Sequence, residues 1–276
     1  MVLRKTQEAA QKAEARTLEV TREQEERKIV QAAADVVARL ARALTALRDG
    51  DLESARALLE EAKGLIEELR KEHDELQALP VQVQVYQVVN VNDVETARAL
   101  LEQAKKALEE GNLPLARVLL NRLRNEIVVL TDLVPLDVLD RTLELARSFL
   151  EHGNVTGAVS ALALLDTAME RVQTIIPRTL LEAYYLVDEI RRLTTREDKD
   201  VILELLDLVR QKVELSRVLG YVRDTAVLDD LLAQVREIEA AVRAEKEQQE
   251  ELAKLQEAVE KAREKEEVPE AEPVEA

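Results

Sequence analysis

The sequence has no cysteine, no tryptophan and two histidines, with only six glycines and six prolines in 276 residues. The lack of cysteine excludes disulfides, thiolate metal sites and cysteine nucleophiles, and two histidines exclude any site that needs three. Aromatic residues make up 2% of the chain, but hydrophobic residues make up 46%. The chain is therefore expected to fold around an aliphatic core, as one large domain or two small ones.

Positive charge is also scarce, because 39 basic residues face 56 acidic ones and the net charge is −17 at pH 7. Binding to nucleic acid or to an anionic membrane surface depends on an excess of Lys and Arg. We therefore expect no nucleic-acid partner. The longest stretch without charge, residues 76–92, is shorter than the roughly 20 apolar residues that a membrane-spanning helix needs. At the N-terminus, Arg4 and Lys5 are followed by polar residues rather than by the apolar run of a secretion signal. A soluble chain without membrane insertion is predicted.

Composition divides the chain into four segments. Residues 1–28, which lack Pro and Gly, predict a charged helical N-terminal extension. Residues 29–243 carry apolar stripes of helical period and predict a helical-hairpin core domain. Residues 244–266 have a narrow Leu and Val stripe typical of a coiled-coil-like helix. Residues 267–276, with two prolines among glutamates, predict a disordered acidic tail.

One pattern, L-x-x-G-[DN]-[LV]-x-x-A, occurs three times in the core, with its glycine at Gly50, Gly111 and Gly153. Glycine accepts the left-handed conformation just past a helix end. The Asp or Asn that follows caps the next helix, and the small Ala lets two antiparallel helices approach. Three helical hairpins are therefore predicted. Their spacing of 61 and 42 residues argues against a regular solenoid with a repeat of about 34.

Between the hairpins the hydrophobic period changes. Residues 81–86 alternate strictly between apolar and polar, which is typical of a strand, and residues 127–131 and 172–176 are β-branched. Frayed helix ends before a proline are the alternative for the second and third segments. The predicted fold class is mostly α: antiparallel helical hairpins packed in one bundle-like domain, with a small β-sheet from short extended segments and charged helical termini.

No catalytic, cofactor-binding or metal-binding residue is predicted, and the chain is not expected to be an enzyme. Neither His73 nor His152 has a glutamate three residues before it, as carboxylate-bridged metal sites in helical bundles require. The isolated glycines form no phosphate loop. Adjacent glutamates and the four serines are expected to be ordinary structural residues; the pairs are Glu60-Glu61, Glu67-Glu68 and Glu109-Glu110, and the serines are Ser54, Ser148, Ser160 and Ser216.

The densest aromatic feature is Tyr184-Tyr185. Neighbours on a helix point about 100° apart, so one ring is expected in the core and the other near a surface, where binding is an option.

The order of these features along residues 30–225 resembles the YfdX family of bacterial stress-associated proteins. No one feature is specific, and their linear order carries the resemblance. The features are Gly50-Asp51 with Ala55, Leu79-Pro80-Val81, Ala97, Gly111-Asn112 with Ala116, Glu126-Ile127-Val128, Pro135-Leu136, Gly153 with Ala158, Pro177 before Leu180-Leu181-Glu182-Ala183, and Leu219-Gly220-Tyr221.

This resemblance implies a mostly helical, non-enzymatic protein with chaperone-like (holdase) binding of unfolded or partner proteins. It also implies a homo-oligomer and a periplasmic location, with the cytoplasm as the alternative because no export signal is visible. The chain departs from the family at Ile176-Pro177-Arg178, where members tend to have Pro-Leu-Pro. The charged helices at both ends are additions to the family pattern.

Two other functions remain open from the sequence. One is a scaffold or adaptor that binds a specific folded partner through a helical-hairpin groove, as repeat proteins do. The other is a small-ligand binder or enzyme with a cavity between helices, although no convergent polar cluster is evident. A further hypothesis concerns pH: protonation of many carboxylates between about pH 5 and 3 would change self-association.

Overall fold

The structure, a computed structural model, describes residues 2–72, 78–193, 195–244, 248–264 and 269–270. It is mostly helical with a small antiparallel sheet, which confirms the predicted fold class. The helices are α1 Val2–Glu26, α2 Gln31–Asp49, α3 Leu52–Glu72, α4 Val94–Glu109, α5 Leu113–Asn121, α6 Leu136–Glu151, α7 Val155–Ala163, α8 Leu165–Ala168, α9 Arg178–Arg191, α10 Thr195–Leu219, α11 Thr225–Arg243 and α12 Gln249–Glu264. The strands are β1 Ala78–Val89, β2 Asn125–Pro135, β3 Glu170–Pro177 and β4 Pro269–Glu270.

The contacts group the chain into two units, each discontinuous in sequence. The predicted boundaries at residues 28/29 and 243/244 fall inside these units, because the charged end helices pack with the core segments rather than apart from them. Unit 1 comprises Met1–Arg22, Val85–Val129 and Thr174–Pro269, and unit 2 comprises Glu23–Gln84, Leu130–Gln173 and Glu270–Ala276.

The three repeated turns have the predicted chemistry. Their glycines have φ angles of +81°, +71° and +72°, a conformation that favours glycine because it lacks a Cβ. The residue after each glycine accepts a backbone N–H hydrogen bond in the first turn of the next helix. The bonds run from Ser54 to Asp51 Oδ1 at 3.0 Å, from Leu115 to Asn112 Oδ1 at 3.2 Å and from Gly157 to Asn154 Oδ1 at 2.8 Å.

All three predicted extended segments are strands, so the alternative of frayed helix ends is wrong. The sheet order is β1-β2-β3-β4. The Asn90 N–H donates to Arg124 O at 3.0 Å, which joins the end of β1 to the start of β2, as antiparallel strands require. Strand β4 falls within the predicted acidic tail, and the rest of residues 267–276 lies outside the described residues.

Unit 2 is built from two of the three hairpins. Helix α2 packs against α7 and α3 packs against α6, so the α2–α3 and α6–α7 hairpins lie side by side. Two ion pairs cross from α3 to α6, Glu60–Arg147 at 2.6 Å and Arg70–Asp140 at 2.5 Å. The apolar interior includes Leu40, Leu47, Leu59, Leu143, Leu150 and Leu162, all buried.

Unit 1 is built around α9, which packs against α10 and α12. The stripe predicted within residues 244–266 is the buried face of α12, with Leu252, Leu255 and Val259 inside. The third hairpin, α4–α5, is held at its base by α10, where Ala97 and Leu123 contact Leu215. Among the described residues, no helix is both long enough and apolar enough to cross a membrane.

Candidate functional site

The first candidate is a buried polar cluster at the start of α9. Arg178 and Glu182 lie one helical turn apart and are 1% and 3% exposed. Arg178 Nη2 lies 2.5 Å from Glu182 Oε1, and Glu182 Oε2 lies 2.6 Å from Lys212 Nζ of α10. Arg178 Nη2 also pairs with Glu14 Oε1 of α1 at 2.5 Å. Two cations and two carboxylates thus pair in unit 1, where Arg178 and Glu182 are buried and the Glu14 side chain is 57% exposed.

Asn125 and Tyr221 extend this cluster to β2. Asn125 Oδ1 accepts from Arg178 Nη1 at 3.3 Å, and the Asn125 backbone N–H donates to Tyr221 Oη at 2.7 Å. The Tyr221 hydroxyl donates to Glu126 Oε2 at 3.2 Å. Burial raises the pKa of Tyr221 above its ordinary value, and the Glu126 carboxylate acts in the same direction against the Asn125 hydrogen bond. Tyr221 is therefore a neutral hydrogen-bond donor.

Ser216 and His152, two of the polar residues singled out in the sequence, form hydrogen bonds within or between helices. Ser216 is buried, with its Oγ 2.5 Å from Thr179 Oγ1 and donating to Lys212 O. His152 is exposed and its Nδ1 lies 2.8 Å from Ser148 O, within its own helix end. His73 lies outside the described residues.

This cluster is not evident from the hydrophobic pattern. A signal is present in the sequence: an Arg and a Glu at i, i+4 in the first two turns of the helix that directly follows Pro177. Because its charges pair with one another in the interior, the cluster is suited to fixing α9 against α10 and β2. The two surface grooves described below are lined by other side chains.

The tyrosine pair divides between core and surface as predicted. Tyr185 is buried and Tyr184 half-buried, with their rings edge to face at 5.2 Å. The Arg16 guanidinium of α1 lies over Tyr185, 4.7 Å from the ring centre. Burial raises the pKa of Tyr185 to about 12, and the Arg16 cation opposes this. Tyr185 therefore contributes to the packing of α1 on α9.

Shallow grooves run along both sides of α1, because α1 buries small residues such as Thr6, Ala13 and Thr17. One groove has a volume of about 710 Å³ and includes Leu3 and Leu203; the other, about 380 Å³, includes Lys12. Within the described part of the chain, His, Asp and Glu side chains form no group of three placed to hold a metal ion.

The second candidate is an apolar surface on the α4–α5 hairpin. Five of the ten large hydrophobic side chains that are exposed in the described residues lie on these two short helices, each 44–59% exposed. We call them the hairpin surface: Leu108, Leu113, Leu115, Val118 and Leu120.

These side chains are exposed because α5 contacts little besides α4. The two helices meet through Ala104, Ala107, Ala116 and Leu119, a small cluster. At 100° per residue, the remaining apolar residues of α5 lie on two flanks of this stripe. Leu113 and Leu120 form one flank, and Leu115 and Val118 form the other.

The α5 side of the hairpin surface is basic, whereas the whole protein is acidic. Residues 111–125 contain Arg117, Arg122 and Arg124 and no Asp or Glu, although the whole chain carries −17. Exposed apolar side chains bordered by guanidinium groups can contact apolar and acidic segments of another chain. Sequence reasoning found the hairpin but not its exposure.

One protein family matches the part of the chain that holds the three hairpins. The model of the YfdX protein family matches residues 36–174, which is 139 of the 276 residues and half of the chain. The chain belongs to the YfdX family. The YfdX segment begins in α2, ends within β3 and includes the turns of all three hairpins. The resemblance predicted over residues 30–225 is thus confirmed for the family, with the match itself extending over residues 36–174.

Among solved structures, the chain is similar to a Salmonella Typhi YfdX. That similarity has 12% sequence identity and a TM-score of 0.39, and it covers 54% of this chain and 92% of the other. No curated protein matches this YfdX chain.

Proposed function

We propose that this protein is a non-catalytic, stress-related protein that holds unfolded segments of other proteins on the hairpin surface, as a holdase chaperone does. The observation that supports this is the concentration of exposed apolar side chains on one hairpin. Exposed apolar side chains that are grouped on one element of a folded protein can mark places where other chains bind. The chaperone-like binding implied by the YfdX resemblance supports the same function.

A holdase must capture apolar segments and keep the complex in solution. The hairpin surface supplies the first property, and Arg117 and Arg122 beside it suit clients in which acidic residues adjoin apolar ones. The net charge of −17 supplies the second, because complexes of like net charge repel one another.

The chemistry of the buried cluster supports a non-catalytic protein. Arg178 and Glu182 are each held by an opposite charge in the interior, and the Tyr221 hydroxyl is held neutral by burial. Groups that act on a substrate must reach it through a cleft, whereas these groups contact one another.

The test measures light scattering of an unrelated heat-labile protein as it aggregates. The wild-type chain at a few-fold molar excess is expected to suppress the scattering, and the variant Leu115→Ser/Val118→Ser is expected to lose most of that protection. The matched control is Leu145→Ser/Leu164→Ser, which removes two exposed leucines of unit 2 and is expected to protect like the wild type.

Two results would contradict the proposal. No suppression by the wild type would remove the holdase function, and equal protection by the hairpin variant would remove the hairpin surface as its site. A pull-down that returns one folded partner in fixed stoichiometry, without protection of unfolded clients, would instead support the scaffold or adaptor function.

The compartment is also part of this proposal. The family resemblance supports the periplasm, with the cytoplasm as the alternative. Fractionation of cells that express the natural gene tests it, since recovery with periplasmic marker proteins supports the location and recovery with cytoplasmic markers contradicts it.

A further inference from the structure

The three hairpins share their apolar positions but not their burial. Leu108 lies three residues before its turn glycine, as do Leu47 and Leu150 in the other two hairpins. Leu47 and Leu150 are buried in unit 2, whereas Leu108 is 48% exposed. The same local sequence therefore packs against a second hairpin in two cases, and in the third the described residues provide no such partner.

A second position shows the same contrast. Leu120 lies nine residues after its glycine, as do Leu59 and Leu162. The latter two are buried in the core of unit 2, and Leu120 is 44% exposed. In contrast, the positions that face the partner helix of the same hairpin are buried in all three: Ala55, Ala116 and Ala158.

The partner in unit 2 is another hairpin. The first helix of each hairpin packs against the second helix of the other, α2 on α7 and α6 on α3. This reciprocal arrangement is that of a two-fold pair. In unit 1, α10 packs at the base of α4–α5, near Ala97 and Leu123, and the described residues provide no second hairpin for the tip.

We propose that the tip of α4–α5 pairs with the α4–α5 tip of a second copy of this chain, with α4 on the partner's α5 and α5 on the partner's α4. Leu108 and Leu120 then occupy the positions that Leu47, Leu59, Leu150 and Leu162 occupy in unit 2. The proposed contact has the same arrangement as the one in unit 2, where two hairpins of this pattern pack side by side.

The charges of the two helices are complementary in this arrangement. Residues 111–125, which include α5, carry three arginines and no acid, whereas α4 with Glu110 carries four glutamates against three basic residues. Helix α5 itself carries one arginine and no acid, and α4 is neutral until Glu110 gives its end a net charge of −1, so each α5 meets a helix end of weakly opposite charge. Lys105 and Asn121 occupy the positions of Arg147 and Glu60, which pair at 2.6 Å in unit 2. An amide oxygen of Asn121 can accept a hydrogen bond from Lys105 of the other copy.

This pairing goes beyond the proposed function, since it does not depend on whether the hairpin surface binds clients. It uses the flank with Leu120, while Leu115 and Val118 on the other flank correspond to exposed Ser54 and Ala57 in α3. The two flanks therefore make the pairing and the holdase function separable by mutation.

The test is sedimentation velocity of the full chain, without client, over a range of concentrations. The wild type is expected to reach twice its 31.1 kDa mass, Leu108→Ser/Leu120→Ser to stay at the monomer mass, and Leu115→Ser/Val118→Ser to behave like the wild type. A wild type that is monomeric throughout, a paired Leu108→Ser/Leu120→Ser, or loss of pairing only in Leu115→Ser/Val118→Ser would overturn the proposal.

A second measurement tests the pairing without the double variant, which could lose the pairing simply because it misfolds. The chain has no cysteine, so Leu108→Cys and Leu120→Cys proteins can be mixed and treated with a short bismaleimide. Cross-linked dimers are expected in the mixture. The same yield from a mixture of Leu145→Cys and Leu164→Cys, or no cross-linking in the first mixture, would contradict the pairing.

Discussion

Replacing Arg178 by methionine tests whether the buried cluster holds unit 1 together. The substitution keeps an unbranched apolar stem but removes the guanidinium group, whose Nη2 lies 2.5 Å from Glu182 Oε1. Glu182 is 3% exposed, so its charge cannot turn to water. Lys212, whose side chain is 21% exposed, remains 2.6 Å from its other oxygen.

The magnitude follows from these contacts. Removing one partner of a buried ion pair costs about 3–5 kcal/mol, and because Lys212 remains we expect the lower end, about 3 kcal/mol. The double variant Arg178→Met/Glu182→Leu removes both buried charges. Since well-packed apolar replacements of buried ion pairs are often close to neutral, it should be more stable than Arg178→Met by about 2 kcal/mol.

The assay is urea unfolding followed by near-ultraviolet circular dichroism of tyrosine. All four tyrosines belong to unit 1, so the signal reports on the unit that contains Arg178. Arg98→Met, at a more exposed pair with Glu214 in the same unit, is the matched control and is expected to cost less than about 1 kcal/mol. An unchanged unfolding free energy for Arg178→Met, or a double variant less stable than Arg178→Met, would refute the reasoning.

Two further predictions concern single residues. Gly64 lies in the interior of α3 with open space where the methyl group of an alanine would project, so Gly64→Ala should stabilise the protein by about 0.5–1 kcal/mol. Gly111→Ala should destabilise it, because Gly111 has a φ of +71°. A thermal unfolding experiment in which Gly111→Ala is the more stable variant would contradict this. Burial pushes the pKa of Asp188 upward, but its hydrogen bond from Arg16 and the nearby Arg192 outweigh this, so the pKa lies below its ordinary value. The stabilisation from Asp188 is thus complete above the ordinary Asp pKa and is lost as pH falls through the lowered one. The protection of α1 amides from hydrogen exchange, corrected for the pH dependence of the intrinsic rate, should therefore fall below about pH 4 in the wild type. Asp188→Asn should already show the lower protection at pH 7, and wild-type protection in that variant at pH 7 would contradict this.

The hairpins and strands follow from local chemistry and were predictable. The turn at Gly111-Asn112 needs only a left-handed residue and a capping side chain, both visible in nine residues of sequence. The strand of residues 81–86 shows its alternation directly. Each depends on neighbours in the chain, so the pattern alone indicates the structure.

The grouping of the elements was not predictable in the same way. Leu59 and Leu120 occupy one position of one pattern, yet one is buried and the other exposed. The difference lies in which distant helix packs on each hairpin, and no local pattern contains that information. The Arg178 cluster is similar, because its partners Glu14 and Lys212 come from helices far away in sequence.

The most direct test of the account is photo-crosslinking to an unfolding client. A photoreactive amino acid is placed at Val118 on the hairpin surface or at Leu164 in unit 2, positions that are 51% and 61% exposed. The account predicts client adducts mainly from position 118. Equal or greater yield from position 164 would show that the hairpin surface is not where this protein binds.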